Sequence, residues 1–187
     1  SNMIRTMCFD KEGKLWIGTS KGIDIIDPNK ETINRKIEYN PGIKNSLIDS
    51  EIMYLYPDEE GKMWIISSKG IQLYDYRNHL FVKNPLPGMD LIIISKIYRD
   101  NEGVYWITGQ NKMASYCPIN NEIHYYTSKD KRDKHYISNN EVLSLFQDSK
   151  GLMWFGTKSG LNIYDKTKGH LKTYKKRDGI SGEVIHG

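Results

Sequence analysis

The sequence predicts an all-β chain, a partial β-propeller of four four-stranded antiparallel blades. Three observations carry this. The stretch Asp10-Lys11-Glu12-Gly13-Lys14-Leu15-Trp16-Ile17 returns in altered form at 58–65, 100–107 and 148–155. All four tryptophans of the 187 residues occupy one repeat position, six after the Asp, at spacings of 48, 42 and 48 residues. Each period is filled by short runs of alternating apolar residues, separated by turns rich in Gly, Asp and Asn. A repeat of about 40–50 residues made of short strands marks a propeller or a similar array.

The first unit shows how each element arises. Ile4, Thr6 and Cys8 alternate with Arg5, Met7 and Phe9, so 4–9 reads as a strand with one side in a core. Asp10 to Gly13 is a tight turn: the carboxylate accepts from turn amides, and Gly13 supplies the positive φ that closes a hairpin. Residues 15–19 form a second strand, which carries Trp16. Ser20-Lys21-Gly22 turns the chain into a third strand at 23–27, and Pro28-Asn29-Lys30 into a fourth at 33–39. Four strands in a meander make one propeller blade.

The later units repeat the plan, with strands at 52–56, 63–67, 71–75 and 79–83, then 92–98, 104–108, 113–117 and 122–127, then 141–146, 152–157, 161–165 and 170–175. The blades therefore run from about 3 to 39, 51 to 83, 91 to 127 and 140 to 175, within one segment over 1–187. Residues 183–186 read as the start of a further blade. The third unit departs most. Thr108-Gly109 replaces Gly-Thr, Lys112 stands where Gly22, Gly70 and Gly160 stand elsewhere, and Cys117 replaces Asp27, Asp75 and Asp165. A positive φ at Lys112 would cost about 1 kcal/mol, so its turn is expected to take another shape.

Composition narrows the function classes. Hydrophobic residues make up 38% and aromatics 11%, enough for a folded core, and no apolar run approaches the length of a membrane helix. Ser1-Asn2-Met3 reads as a cloning remnant, so the lack of a signal peptide leaves a secreted parent open. The net charge of +4 comes from basic residues interspersed with acidic ones, a poor footprint for nucleic acid. Cys8 and Cys117 lie at different repeat positions and read as small buried hydrophobes rather than a disulfide.

Catalytic and metal signatures are lacking. His79, His124, His135, His170 and His186 show no metal-ligand spacing, no Gly-x-Ser-x-Gly elbow occurs, and no cofactor motif is present. A glycosidase needs only two carboxylates, but the regular ones, Asp10, Asp58, Asp100 and Asp148, have turn duties, as do Gly13, Gly61, Gly103 and Gly151. Trp16, Trp64, Trp106 and Trp154 read as core between sheets, since a ligand site seldom needs four equivalent rings.

The pattern Asp-x-x-Gly-x-x-Trp-Ile-Gly-Thr-x-x-Gly-Ile/Leu-x-x-x-Asp resembles the two-component regulator propeller repeat. The likeness is best at 10–27 and 148–165 and partial at 58–75 and 100–117. It implies the periplasmic sensor of a hybrid two-component system, responding to a glycan or oligosaccharide. The implied parent is membrane-anchored, with two propellers, a small β-sandwich, a membrane helix, a histidine kinase, a receiver and a helix-turn-helix DNA-binding domain. Propellers of this family usually have seven blades, which makes this chain a fragment of a larger ring. Its open ends would then meet the remaining blades or a second propeller, or pair in a homodimer.

Function on such a scaffold is expected in the inter-blade loops at 40–50, 84–91 and 128–140. A sugar site needs an aromatic face and planar polar groups. Arg132, Lys134, His135, Tyr136 and Asn139 in the third loop are the best local supply and are the candidate ligand-binding residues. Arg132 and Lys134 would pair with an anionic group. A protein-interaction scaffold, or a carbohydrate-cleaving propeller, is the alternative.

Overall fold

The computed structural model describes residues 3–82, 85–89 and 94–181. The run expected at 183–186 lies outside the described residues, as do the first two positions of the strand expected at 92–98. Four separate four-stranded antiparallel meanders form. They are β1 (Ile4–Phe9), β2 (Leu15–Thr19), β3 (Gly22–Asp27) and β4 (Thr32–Ile37); β5 (Ile52–Pro57), β6 (Lys62–Ser67), β7 (Gly70–Asp75) and β8 (Leu80–Val82); β9 (Ile94–Arg99), β10 (Tyr105–Gly109), β11 (Lys112–Cys117) and β12 (Glu122–Tyr126); and β13 (Val142–Gln147), β14 (Met153–Thr157), β15 (Gly160–Asp165) and β16 (His170–Tyr174). The fold is all-β. A single 3₁₀ turn, Lys176–Asp178, follows the last strand.

The chain divides into two compact units, one of residues 1–87 with 93–96, the other of 88–92 with 97–187. In the first, Trp16, Ile23, Ile25, Leu47, Ile52, Leu55, Met63 and Tyr74 share one core. In the second, Trp106, Met113, Tyr126, Ile137, Val142, Met153 and Phe155 do so. Both cores draw on the strands of two blades and on one loop residue, Leu47 or Ile137, that dips under the sheet.

The repeat Asp and Trp are joined by more than a turn. Oδ1 of Asp10 accepts the backbone N–H groups of Glu12 and Lys14, each at 2.9 Å, while Oδ2 accepts the indole N–H of Trp16 at 2.7 Å. Asp100 does the same for Glu102, Val104 and Trp106, and Asp148 for Lys150, Leu152 and Trp154. One carboxylate thus closes the hairpin and fixes a large ring in the next strand. Trp16, Trp64 and Trp106 are buried, while Trp154 is half-buried and stacks on Phe146 with centroids 6.1 Å apart.

The Gly-Thr-x-x-Gly segment is a second device. The Thr19 hydroxyl donates to the Gly22 carbonyl and accepts from the Lys21 N–H, and Thr157 does the same with Gly160 and Ser159. Gly22 has φ 118°, and a Cβ there would stand 2.4 Å from the Ile37 carbonyl oxygen. In the third blade the left-handed residue is Asn111, with φ 61°, one place before Lys112. The turn has another shape, as the lysine required, and Asn takes the strained position more readily than Lys.

Candidate functional site

The inter-blade loops are gripped by the blade that follows them. In the first unit, Gln72 of β7 accepts the Ile48 N–H and donates to the Ser46 carbonyl, at 2.9 and 3.0 Å. Asn45 reaches the edge strand, donating to the His79 carbonyl and accepting the Phe81 N–H. Ser68, in the turn between β6 and β7, donates to Asp49. The second unit repeats the scheme: Asn162 accepts the Ser138 N–H, and Asn139 donates to the Ser159 hydroxyl. The loop and the turn between the second and third strands therefore lie on the same face.

Between β4, the loop at 39–46 and the β7–β8 hairpin lies an open cleft of about 300 Å³. Arg35, Tyr39, Asn40, Tyr74, His79 and Phe81 contribute to its walls. A smaller chamber of about 60 Å³ adjoins it, sharing Arg35, Tyr74 and His79 and adding Asp10, Trp16 and Tyr76. Three properties distinguish this place. Arg35 is exposed and forms no ion pair among the described residues, unlike its neighbour Lys36, which faces Asp24 at 3.8 Å. The phenolic oxygen of Tyr74 is buried without a hydrogen-bond partner, and that of Tyr76 is buried beside the Lys11 backbone. Burial pushes the Tyr74 phenol up, and the nearby Arg35 charge partly offsets this. Finally, Tyr39 carries the Lys69 ammonium over its ring, 5.1 Å from the centroid. Asp10, although on the wall, is spent on its turn and on Trp16.

The second unit shows why the Tyr74 phenol stands alone. The strand pairings make Arg35 equivalent to His124, Ile37 to Tyr126 and Tyr74 to Tyr164. There, the Tyr126 hydroxyl lies 3.4 Å from Ser115 Oγ, and its ring packs edge-on to Tyr164 with centroids 5.7 Å apart. In the first unit an isoleucine stands where that ring would be. His135 also fills the corresponding place: its ring lies 4.8 Å from His124 and 5.0 Å from Tyr126. In the first unit the loop sends no such ring inward, and the cleft stays open.

The structure places the five loop residues expected from sequence in different settings. Arg132 is 90% exposed and held by its own turn, donating to both oxygens of Asp130 at 3.1 and 3.0 Å. Lys134 is exposed. His135 turns inward, and its imidazole is pushed down by burial first, then by His124 and Lys134, against the pull of Asp133. Tyr136 forms a parallel bridge with Thr127. Asn139 donates to Ser159 and accepts the Glu141 N–H, at 3.2 and 2.8 Å. Only His135 and the strand residues behind it meet. The sequence reading did not single out Arg35, Tyr74 or Tyr76; the one available signal was Arg35 standing in a strand whose counterpart position is His124.

Residues 1–21 and 136–159 match the family model of the two component regulator propeller. The match falls on the first and the last of the four repeat units. No curated protein matches the sequence. Among solved structures, one described as the extracellular domain of a hybrid two component system from B. thetaiotaomicron aligns over the whole chain with a TM-score of 0.75 and 22% identity. This chain spans 25% of that protein's length. Virginiamycin B lyase from Staphylococcus aureus aligns over 97% of this chain and 61% of its own, with a TM-score of 0.61 and 17% identity. The WD40 domain of Neurospora crassa Pan2 aligns over 93% and 50%, with a TM-score of 0.61 and 16% identity. At these identities the likeness is one of fold: the all-β, propeller-like blades are shared with an extracellular domain, a lyase and a WD40 domain. Among the described residues no helix is long and apolar enough to cross a membrane, and no cluster of His, Cys, Asp or Glu could hold a metal.

Proposed function

We propose that the chain is a sensor segment of a hybrid two-component regulator, non-enzymatic in itself, that binds an oligosaccharide or relays its binding to a histidine kinase elsewhere in a membrane-anchored parent. The periplasm is where such a segment would meet its ligand. The regulator propeller repeats support the class. The observation that carries ligand binding is the open cleft of the first unit, which combines aromatic walls, a guanidinium without an ion pair among the described residues and the buried, unpartnered phenol of Tyr74. Ligand pockets have this make-up: apolar walls and a few convergent polar groups.

Its mechanism would be a shift in population between arrangements of the parent, driven by the difference in affinity that the ligand has for each. Isothermal titration of this chain against a panel of neutral and acidic oligosaccharides tests the reading. Saturable binding that Arg35→Gln weakens supports it, and no binding by any saccharide contradicts direct sensing by these blades.

A protein-interaction role has one observation in its favour. Met7 and Phe9 of β1 are 60% and 59% exposed, and the neighbouring Ile4 56%. Contiguous exposed apolar surface marks contact sites. We read this face as the seat of a further blade in the parent, or of a second copy when the segment stands alone.

A further inference from the structure

Resting on the reading of this chain as a saccharide sensor, we infer that the cleft of the first unit takes an acidic sugar, with its carboxylate on Arg35 and a hydroxyl in the chamber beneath, against Tyr74 and Tyr76. Three observations lead there.

The first is the guanidinium. An arginine presents a planar fork of donors that matches a carboxylate in two parallel bonds. The two lysines that line the cleft and its chamber already face a carboxylate: Lys14 pairs with Glu12 at 2.9 Å and Lys36 with Asp24 at 3.8 Å. Arg35 has none among the described residues. Glu38 in the cleft and Asp10 in the chamber oppose an anion there, while Arg35 and Lys36 favour one.

The second is the pair of phenols. A buried polar atom without a partner loses the hydrogen bond it made in water. Tyr74 is 2% exposed and its hydroxyl has no partner, whereas in the second unit the Tyr126 ring packs against its counterpart Tyr164; Tyr76, 7% exposed, lies beside it with the Lys11 backbone near its hydroxyl. A sugar hydroxyl both donates and accepts, so it fits a phenol in either sense. The chamber of about 60 Å³ has room for such a group.

The third is size and stiffness. A cleft of about 300 Å³ is at the small end of ligand pockets and suits about one sugar ring. Its rim is pre-organised, because Asn45 and Gln72 tie the loop to β7 and β8. Little ordering is left for the ligand to impose.

The test is titration of this chain with D-glucuronate and D-galacturonate, followed by NMR and calorimetry. Glucose and galactose serve as uncharged counterparts, and glucose 6-sulfate and acetate as other anions. The uronates are expected to bind at least about tenfold more tightly than the neutral sugars, and Arg35→Gln to erase that difference. Tyr74→Phe is expected to weaken uronate binding by roughly three- to tenfold while leaving the thermal midpoint equal or higher, since no partner is lost in the free protein. A purely structural role for Tyr74 would instead lower stability. Equal affinity for neutral and acidic sugars, or an Arg35→Gln variant that binds as before, overturns the inference and leaves the sensor reading standing. Equal binding of glucose 6-sulfate or acetate overturns the assignment of a sugar carboxylate. Binding of no saccharide, acidic or neutral, overturns both.

Discussion

A single carboxylate per repeat performs two tasks, and the two can be separated by substitution. Asparagine in place of Asp10 keeps an oxygen for the turn amides but turns an NH₂ toward the indole N–H of Trp16. Asp10→Asn should therefore cost about 1–3 kcal/mol, measured as a shift in the urea midpoint. Asp58 differs: its Oδ2 is buried without a hydrogen-bond partner, and burial holds its carboxyl above the ordinary range in spite of the Lys62 and Glu60 N–H groups. A raised folded pKa means that its favourable contribution is full at low pH and is lost as pH rises through that pKa. Asp58→Asn should thus cost less than Asp10→Asn at pH 7, and its stability relative to the unsubstituted protein should fall when both are compared at about pH 4. Equal costs for the two variants at neutral pH would contradict the difference between the sites.

The elements were legible in sequence wherever local chemistry determines them. The repeat and its turn residues placed the strands; period-two burial marks β2, while β6, β10 and β11 are buried almost throughout. The turn at Lys112 was foreseen to differ, and Asn111 shows how. The Asp–Trp bond was not read, since a spacing of six residues says that two side chains can meet and not which atoms bond. The cleft was not read either. It depends on Ile37 standing where the other unit has Tyr126, and on one loop sending the His135 ring inward while the other sends no ring there.

That histidine is testable. Its folded pKa lies below the unfolded one, so its contribution is present above about pH 6.5 and is lost as pH falls from there through the lower folded pKa. Amide exchange at Thr127 and Ile137, whose N–H groups bond to the His135 and Thr127 carbonyls, should speed up at pH 5 relative to pH 7 beyond the intrinsic change. In His135→Phe that excess should vanish. Close approach gives a further check: a Cβ on Gly18 would stand 2.6 Å from Thr6 Cγ2 and 2.8 Å from Ile52 Cγ2, so Gly18→Ala should cost about 1–3 kcal/mol by denaturant titration.

For the whole molecule, the exposed apolar face of β1 predicts self-association of the isolated chain. Light scattering should give a mass above that of one chain, and Met7→Lys with Phe9→Lys should return it to a monomer. A monomer before substitution would show that this face tolerates water. Sensing in the cleft of the first unit, and not in the long charged loop at 128–140, makes a prediction that can be read residue by residue. Hydrogen–deuterium exchange of the chain, with and without a saturating acidic saccharide, tests it most directly. Protection is predicted at residues 35–46 and 74–81, with 128–140 unchanged. Protection confined to 128–140, or none anywhere at saturation, would contradict it.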